Sequence, residues 1–248
     1  MSRLAHLFFD LGDTIVDLGG LVPAMLRELR GKYLDLGQEA RGVAKRWVLL
    51  TAVATPDAQG TAFRTTLELA SSALSTALGE VGSRIKPGLA RDLVRGAWKG
   101  YIKRAKFCAD VNRRLLLSLR SRVVTLGLVT DGDEEAIRPL LTHLRLDDVF
   151  DAVVVSESVG AYKPSPQIYH TALMQCHATA SASGFVSDSL VDLQGASAIG
   201  MGTIWIRRAT VPVDVSPPGG AVVLPDFRYL IHLLDQSPKG LAHQAREQ

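Results

Sequence analysis

The sequence predicts an α/β protein, a doubly wound and mainly parallel sheet of Rossmann-like type carrying an all-helical insert. Three observations predict it. First, short apolar runs recur along the chain: Leu7–Phe9, Val123–Val129, Ala152–Val155, Phe185-Val186, Thr203–Ile206 and Ala221–Leu224. Several are rich in β-branched residues, and runs this uniformly apolar suit strands buried on both faces. Second, segments of helical character separate them at 133–146, 165–178 and 189–200, and repeated strand–helix alternation implies parallel strands joined by crossover helices. Third, residues 17–107 hold no convincing strand, a stretch longer than any ordinary crossover.

Taken in order, the first run stops at Asp10 and the insert follows. Leu21, Met25, Leu29 and Tyr33 mark one helix of the insert, the segment around Trp47 a second, and Leu89, Leu93, Ala97 and Tyr101 another. Phe63, Leu67, Ala70, Leu74, Ala77 and Val81 recur at spacings of four and three, one side of an amphipathic helix. Arg113, Arg114, Arg120 and Arg122 flank Leu115–Leu117 and read as the solvated face of a helix. Ser165-Pro166 is an N-cap followed by proline at the first helical position. After Arg208, the stretch ending in Ser216-Pro217-Pro218-Gly219-Gly220 is a loop, followed by one more strand and a closing helix near 226–235. The expected division is therefore a core of residues 1–16 and 108–236, a helical cap of 17–107 and a polar tail of 237–248.

Composition narrows the function classes. A net charge of +3 over 248 residues is too small to argue for nucleic acid, though it suits an anionic ligand. No apolar run approaches the ~18 residues of a membrane span. Cys108 and Cys176 form no disulfide framework or metal-type spacing. The apolar stretch before Asp10 is too short for a secretory signal, so the cytoplasm is the expected compartment. Nothing in the sequence indicates an oligomeric state.

In a parallel α/β sheet, ligands bind at the carboxyl ends of the strands, so the polar residues that end each apolar run are the candidates. These are Asp10, then Thr130-Asp131-Gly132, then Ser187-Asp188-Ser189 with Asp192 four residues past Asp188; Lys163 lies in the loop before the Ser165 helix. Alone, each would be a turn or capping residue. Together they place carboxylates, a hydroxyl and an ammonium group on one rim.

That set resembles the haloacid dehalogenase-like superfamily over about residues 4–235. Phe8-Phe9-Asp10-Leu11-Gly12-Asp13-Thr14 is similar to its first motif, an apolar strand followed by Asp-x-Asp-x-Thr. Leu128-Val129-Thr130-Asp131-Gly132 is similar to the second, and Ser156 to Pro164, with Lys163 before the proline, to the third. Val186-Ser187-Asp188-Ser189 with Asp192, Gly195-Ala196 and Gly200-Met201 is similar to the fourth. The resemblance implies that Asp10 is a carboxylate nucleophile forming a covalent aspartyl intermediate. It implies magnesium held by Asp10, the Gly12 carbonyl, Asp188 and Asp192. It implies a phosphoryl group bound by Thr130, Asp131, Gly132 and Lys163, with a small phosphorylated metabolite as substrate.

The sequence departs from the family at one position. Phosphatases of this family carry a second Asp two residues after the nucleophile, which protonates the leaving oxygen and later activates water. Here that residue is Gly12, and an Asp follows only at 13. The carbonyl ligand survives; the acid/base does not, unless glycine lets the loop turn Asp13 inward. Otherwise Asp13 is a turn or capping residue. Three readings remain: a magnesium-dependent phosphatase, a catalytically idle phosphate-binding or regulatory module, and a carbon–halogen hydrolase, whose leaving group needs no proton. The dehalogenases of the family work without metal, and the Asp188/Asp192 pair argues for one.

Overall fold

The computed structural model describes residues 4–32, 36–55, 60–208 and 216–236. Six parallel strands form one sheet: β1 (His6–Phe9), β2 (Thr125–Thr130), β3 (Ala152–Val155), β4 (Ser183–Ser187), β5 (Gly202–Ile206) and β6 (Val222–Leu224). Their spatial order is β3-β2-β1-β4-β5-β6. The order therefore reverses between β1 and β4, where Phe8 stands in register with Phe185. In such sheets the crevice beyond the strand ends at the reversal is where ligands bind.

Alternation along β1 explains why helices cover both faces. Leu7 and Phe9 enter one apolar cluster, whereas Phe8 enters a second one with Val129, Val154, Phe185 and Trp205. Side chains of a strand alternate between faces, so an all-apolar strand needs a cover on each. Helices α5 (Arg113–Arg120), α6 (Glu134–His143) and α10 (Phe227–Asp235) supply the first through Leu116, Ile137 and Phe227. Helices α8 (Pro166–Gln175) and α9 (Leu190–Ala198) supply the second through Ile168 and Leu193. A single helical turn, α7 (Ser156–Val159), follows β3 directly and stops at Gly160, whose φ of 71° is left-handed.

Among the described residues, four α-helices precede α5 between β1 and β2: α1 (Leu21–Lys32), α2 (Ala40–Ala54), α3 (Thr66–Gly79) and α4 (Pro87–Ile102). They pack chiefly on one another, and α4 also rests on α6. The expected periodic pattern beginning at Phe63 starts one residue set too early. Thr65 and Glu68 form a capping box that sets the start of α3 at Thr66, and Phe63 instead stacks on Tyr162, with ring centroids 5.1 Å apart.

The basic group expected as a solvated face is tied to the sheet unit. Arg113, Arg120 and Arg122 pair with Asp148, Asp151 and Asp235. The polar tail 237–248, Tyr33 and most of the loop after Arg208 lie outside the described residues. Among the described residues no helix is long and apolar enough to cross a membrane.

Candidate active site

The strand ends converge on a buried ion cluster. β1 delivers Asp10, whose backbone N–H donates to the Val186 carbonyl at 3.0 Å and so locks the end of β1 to β4. Lys163 Nζ donates to Asp10 Oδ1 and, at 2.7 Å, to Asp192 Oδ2. All three residues are only 6 % exposed. Charges this deep persist only when paired and hydrogen-bonded, and the surrounding groups meet that need. Ser187 Oγ donates to Asp192 Oδ2 at 3.1 Å, and Tyr169 donates its hydroxyl to the Asp192 carbonyl at 2.8 Å. Asp131 Oδ1 accepts the Lys163 backbone N–H at 3.0 Å, which holds the lysine loop against the end of β2.

The electrostatics follow from that packing. Burial pushes the Asp10 carboxyl up to about 7, against the pull of Lys163 and helped by the nearby Asp192 and Asp188. Burial likewise raises Asp131 to about 6 and Asp188 above the ordinary carboxylate range. Burial alone would discharge Lys163, but Asp10, Asp192 and Asp131 more than offset it and hold the ammonium form. Several buried acids thus stand against one cation.

Thr14, the last residue of the first motif, clamps the reversal point, a role that its place in the sequence does not reveal. Its hydroxyl donates to Asp188 Oδ1 at 2.8 Å and accepts the Asp188 N–H at 3.0 Å. Thr130 is buried at the end of β2, where its hydroxyl makes a long 3.4 Å contact to the Asp131 carbonyl. Gly132 is clasped by Ser156, which accepts its N–H at 2.9 Å and donates to its carbonyl at 3.0 Å.

The Asp13 side chain turns to Leu18 rather than to Lys163, although its charge still reaches Asp188 and helps burial to raise that carboxyl. Asp13 is exposed, its φ is +51°, and its Oδ1 accepts the Leu18 N–H at 2.9 Å. Leu18 also occupies the space above Gly12, with Cδ1 2.7 Å from where a Cβ at position 12 would lie.

Two residues that sequence reasoning missed join the four-helix insert to this rim. Both carboxylate oxygens of Asp133 accept N–H groups from the start of α3, Thr66 and Leu67, each at 2.7 Å. Tyr162, fully buried beside Lys163, donates its hydroxyl to the Arg64 carbonyl at 2.8 Å. Asp133 carried a misleading signal: it directly precedes α6 and looks like that helix's own cap, yet makes no side-chain bond there.

No three His, Cys, Asp or Glu side chains among the described residues are grouped to hold a metal ion. Magnesium does not require such a group, since one or two carboxylates with waters and substrate oxygens suffice. Asp10 and Asp188 engage Lys163 and Thr14 through one oxygen each, and the excess of buried negative charge around them fits a divalent cation.

Gly195, on α9, faces the Lys163-Pro164 loop so closely that a Cβ would lie 2.7 Å from the Pro164 carbonyl oxygen and 2.8 Å from the Tyr169 ring. We expect Gly195→Ala to cost about 1–3 kcal/mol by overpacking, read from urea unfolding. An unchanged midpoint would mean that the loop yields freely.

Residues 71–206 match the model of a family described as haloacid dehalogenase-like hydrolase. The matched stretch contains Thr130, Lys163, Asp188 and Asp192 but begins after Asp10. Glyceraldehyde 3-phosphate phosphatase of Pyrococcus abyssi is 34 % identical over 38 % of this chain and 40 % of its own length. The alignment thus spans less than half of that relative. Haloacetate dehalogenase H-2 of Moraxella sp. is 24 % identical over 94 % of this chain and 99 % of its own. Among solved structures, one described as a HAD-hydrolase of Bacillus subtilis bound to magnesium covers 94 % of this chain and 100 % of its own, with a TM-score of 0.78 and 20 % identity.

Proposed function

The chain belongs to the haloacid dehalogenase-like hydrolase family, and from that premise we propose that it is a magnesium-dependent phosphatase acting on a small phosphorylated metabolite in the cytoplasm. The observation that carries the reading is the buried Asp10–Lys163–Asp192 cluster at the reversal point of the sheet. A carboxylate beside a fixed cation is what attack on a phosphoryl group needs: a nucleophile, and a charge that offsets repulsion between it and the incoming anion.

In this reading an Asp10 oxygen attacks phosphorus, the bond to the leaving oxygen breaks, and an aspartyl-phosphate forms. Water then cleaves that intermediate, releasing inorganic phosphate and restoring the carboxylate. Lys163 neutralises charge on the phosphoryl oxygens, and the Thr130 hydroxyl and the Asp131 backbone N–H donate hydrogen bonds to them, while Ser156 holds Gly132 in place beside them. The carboxylates of Asp192 and Asp131 orient the lysine rather than touch substrate. Magnesium, held by Asp10, Asp188 and the Gly12 carbonyl with Asp192 close by, would supply further charge neutralisation. The helices of residues 17–107 serve as a cap that excludes water from the site, with residues 1–16 and 108–236 as the catalytic core. Asp13 serves the turn through its bond to Leu18, so the leaving oxygen departs without a proton from this residue. Its partners are small molecules, with neither nucleic acid nor membrane among them.

The test is hydrolysis of 4-nitrophenyl phosphate in magnesium, with Asp10→Asn and chelation each expected to remove it. Failure of a broad phosphate panel to exceed the Asp10→Asn background would turn the reading to an idle phosphate-binding module. Halide release from a 2-haloacid that survives chelation would turn it to a carbon–halogen hydrolase, a chemistry that also dispenses with a proton donor.

A further inference from the structure

A cavity of about 320 Å³ lies between α2, α4 and α6 and ends against the Asp131-Gly132-Asp133 loop of the site. That volume is at the lower bound of ligand pockets. Its walls are built from Leu21, Val48, Trp47, Trp98, Tyr101 and Ile137, a lining that is almost entirely aliphatic and aromatic. Apart from Asp131 at the end nearest the site, the polar groups that reach it are already engaged inside the chain, Thr66 through the Tyr162 hydroxyl at 3.1 Å. The Trp47 indole N–H donates to the Ala70 carbonyl at 3.0 Å, and the Tyr101 hydroxyl to the Asp17 carbonyl at 3.0 Å. The hydroxyls of Thr51 and Thr55 donate to the carbonyls of Trp47 and Ala52, each at 2.9 Å. Asp133 directs both oxygens to α3. A sugar or glycerol moiety placed here would surrender its hydrogen bonds to water and regain few, which costs free energy for each unpaired hydroxyl.

A second, independent observation concerns the other wall. Leu18 lines the cavity and fills the space over Gly12, the position at which the resemblance to the family's phosphatases implies a proton donor. A leaving group that departs as a stable anion needs no such donor. An aryl oxide, of phenol-like pKa about 10, meets that condition far better than an aliphatic alkoxide.

We propose that this cavity holds the body of the substrate, that this body is an apolar ring, and that the substrate is an aryl phosphate monoester or one with a comparably acidic leaving oxygen. The proposal rests on the phosphatase reading above and names its substrate class. In the step, the bond between an Asp10 oxygen and phosphorus forms. The bond from phosphorus to the aryl oxygen breaks, its electron pair leaves with the aryl oxide, and the oxide takes its proton from water.

Two measurements on the full chain, in magnesium, test it. Calorimetric titration with benzylphosphonate and methylphosphonate, which cannot be hydrolysed, reads the cavity without turnover. Benzylphosphonate is expected to bind at least about 10-fold more tightly, the scale at which apolar pockets discriminate small groups. Ala136→Leu, which fills the cavity from α6, should bring the two affinities together while leaving methylphosphonate unchanged, and circular dichroism verifies that this variant is folded. Thr51→Lys, on α2, is a second variant with the same expected loss. The second measurement compares kcat/KM for phenyl phosphate and glycerol 3-phosphate, with phenyl phosphate expected to lead by at least about 10-fold. Equal phosphonate affinities, or glycerol 3-phosphate turned over as well as phenyl phosphate, would overturn the proposal and leave the phosphatase reading standing. Tight, cavity-dependent benzylphosphonate binding with no phosphate hydrolysed would overturn the phosphatase reading and uphold the apolar occupant.

Discussion

Lys163→Met is expected to abolish phosphate hydrolysis and to lower stability by about 3–5 kcal/mol, the cost of removing one member of a buried ion pair. The reason lies in what remains. Asp10 and Asp192 both direct an oxygen at Nζ, and without it two buried carboxylates face each other with no cation between them. They can be neutralised by taking up protons, but a protonated Asp10 is no nucleophile. The loss of turnover should therefore exceed what the loss of folded protein explains, at least ~10³-fold at temperatures where the variant remains folded. A double-mutant cycle separates the two effects. Lys163→Met combined with Asp192→Asn should be less destabilised than the sum of the single changes, because the second removes one of the orphaned charges. Additive losses in urea unfolding, or near-normal turnover of Lys163→Met, would show that the cluster is not coupled in this way.

Asp133→Ala should have the next largest effect, and on a different property. Its carboxylate satisfies two N–H groups at the start of α3, and the groups it would abandon are half-buried to buried, away from easy solvation by water. Hydrogen bonds to a charged group contribute about 1.5–3 kcal/mol each, and an N-cap about 0.5–2 kcal/mol. A total loss of about 3 kcal/mol is expected, or roughly 6–12 °C in Tm for a chain of this size. Because the bond joins the insert to the sheet, hydrogen exchange should rise first at Thr66 and Leu67 and then along α3, before the sheet is affected. The Asp133 carboxylate bonds Thr66 and Leu67 and none of the residues proposed to meet the phosphoryl group. Turnover at temperatures well below the transition should consequently fall through KM more than through kcat. Uniform exchange throughout the chain, or a kcat collapse with normal KM, would rule out the tether as its role.

What could be read from the sequence and what could not divides along the reach of each interaction. Strand identity was legible because a strand buried on both faces must be apolar at consecutive positions, as in Leu7-Phe8-Phe9, and that pattern is written within a few residues. The rim was legible for the same reason: Asp10, Thr130 and Asp188 lie next to the ends of those runs, and a parallel sheet sends all its carboxyl ends the same way. Boundaries were less so. Val123 and Val124 are as apolar as the strand that follows, and α3 begins where a capping box happens to close rather than where the apolar period begins.

The amino-acid sequence by itself determined the fold class, the position of the insert and the set of residues that can meet at the strand ends. Only the tertiary structure decided how they meet. Asp13 and Gly12 are neighbours whose spacing says nothing of direction; a φ of +51° and a bond to Leu18 place the Asp13 carboxylate in the turn, and Leu18 covers Gly12. Asp133 bonds residues 66 and 67 positions away, and no local propensity reports a cap given to a distant helix. The apolar cavity is likewise a property of helices packed against each other. Its walls come from residues that, read along the chain, are indistinguishable from any other core position. Periodicity records which side of a helix is apolar, but not whether its neighbour fills the space beside it.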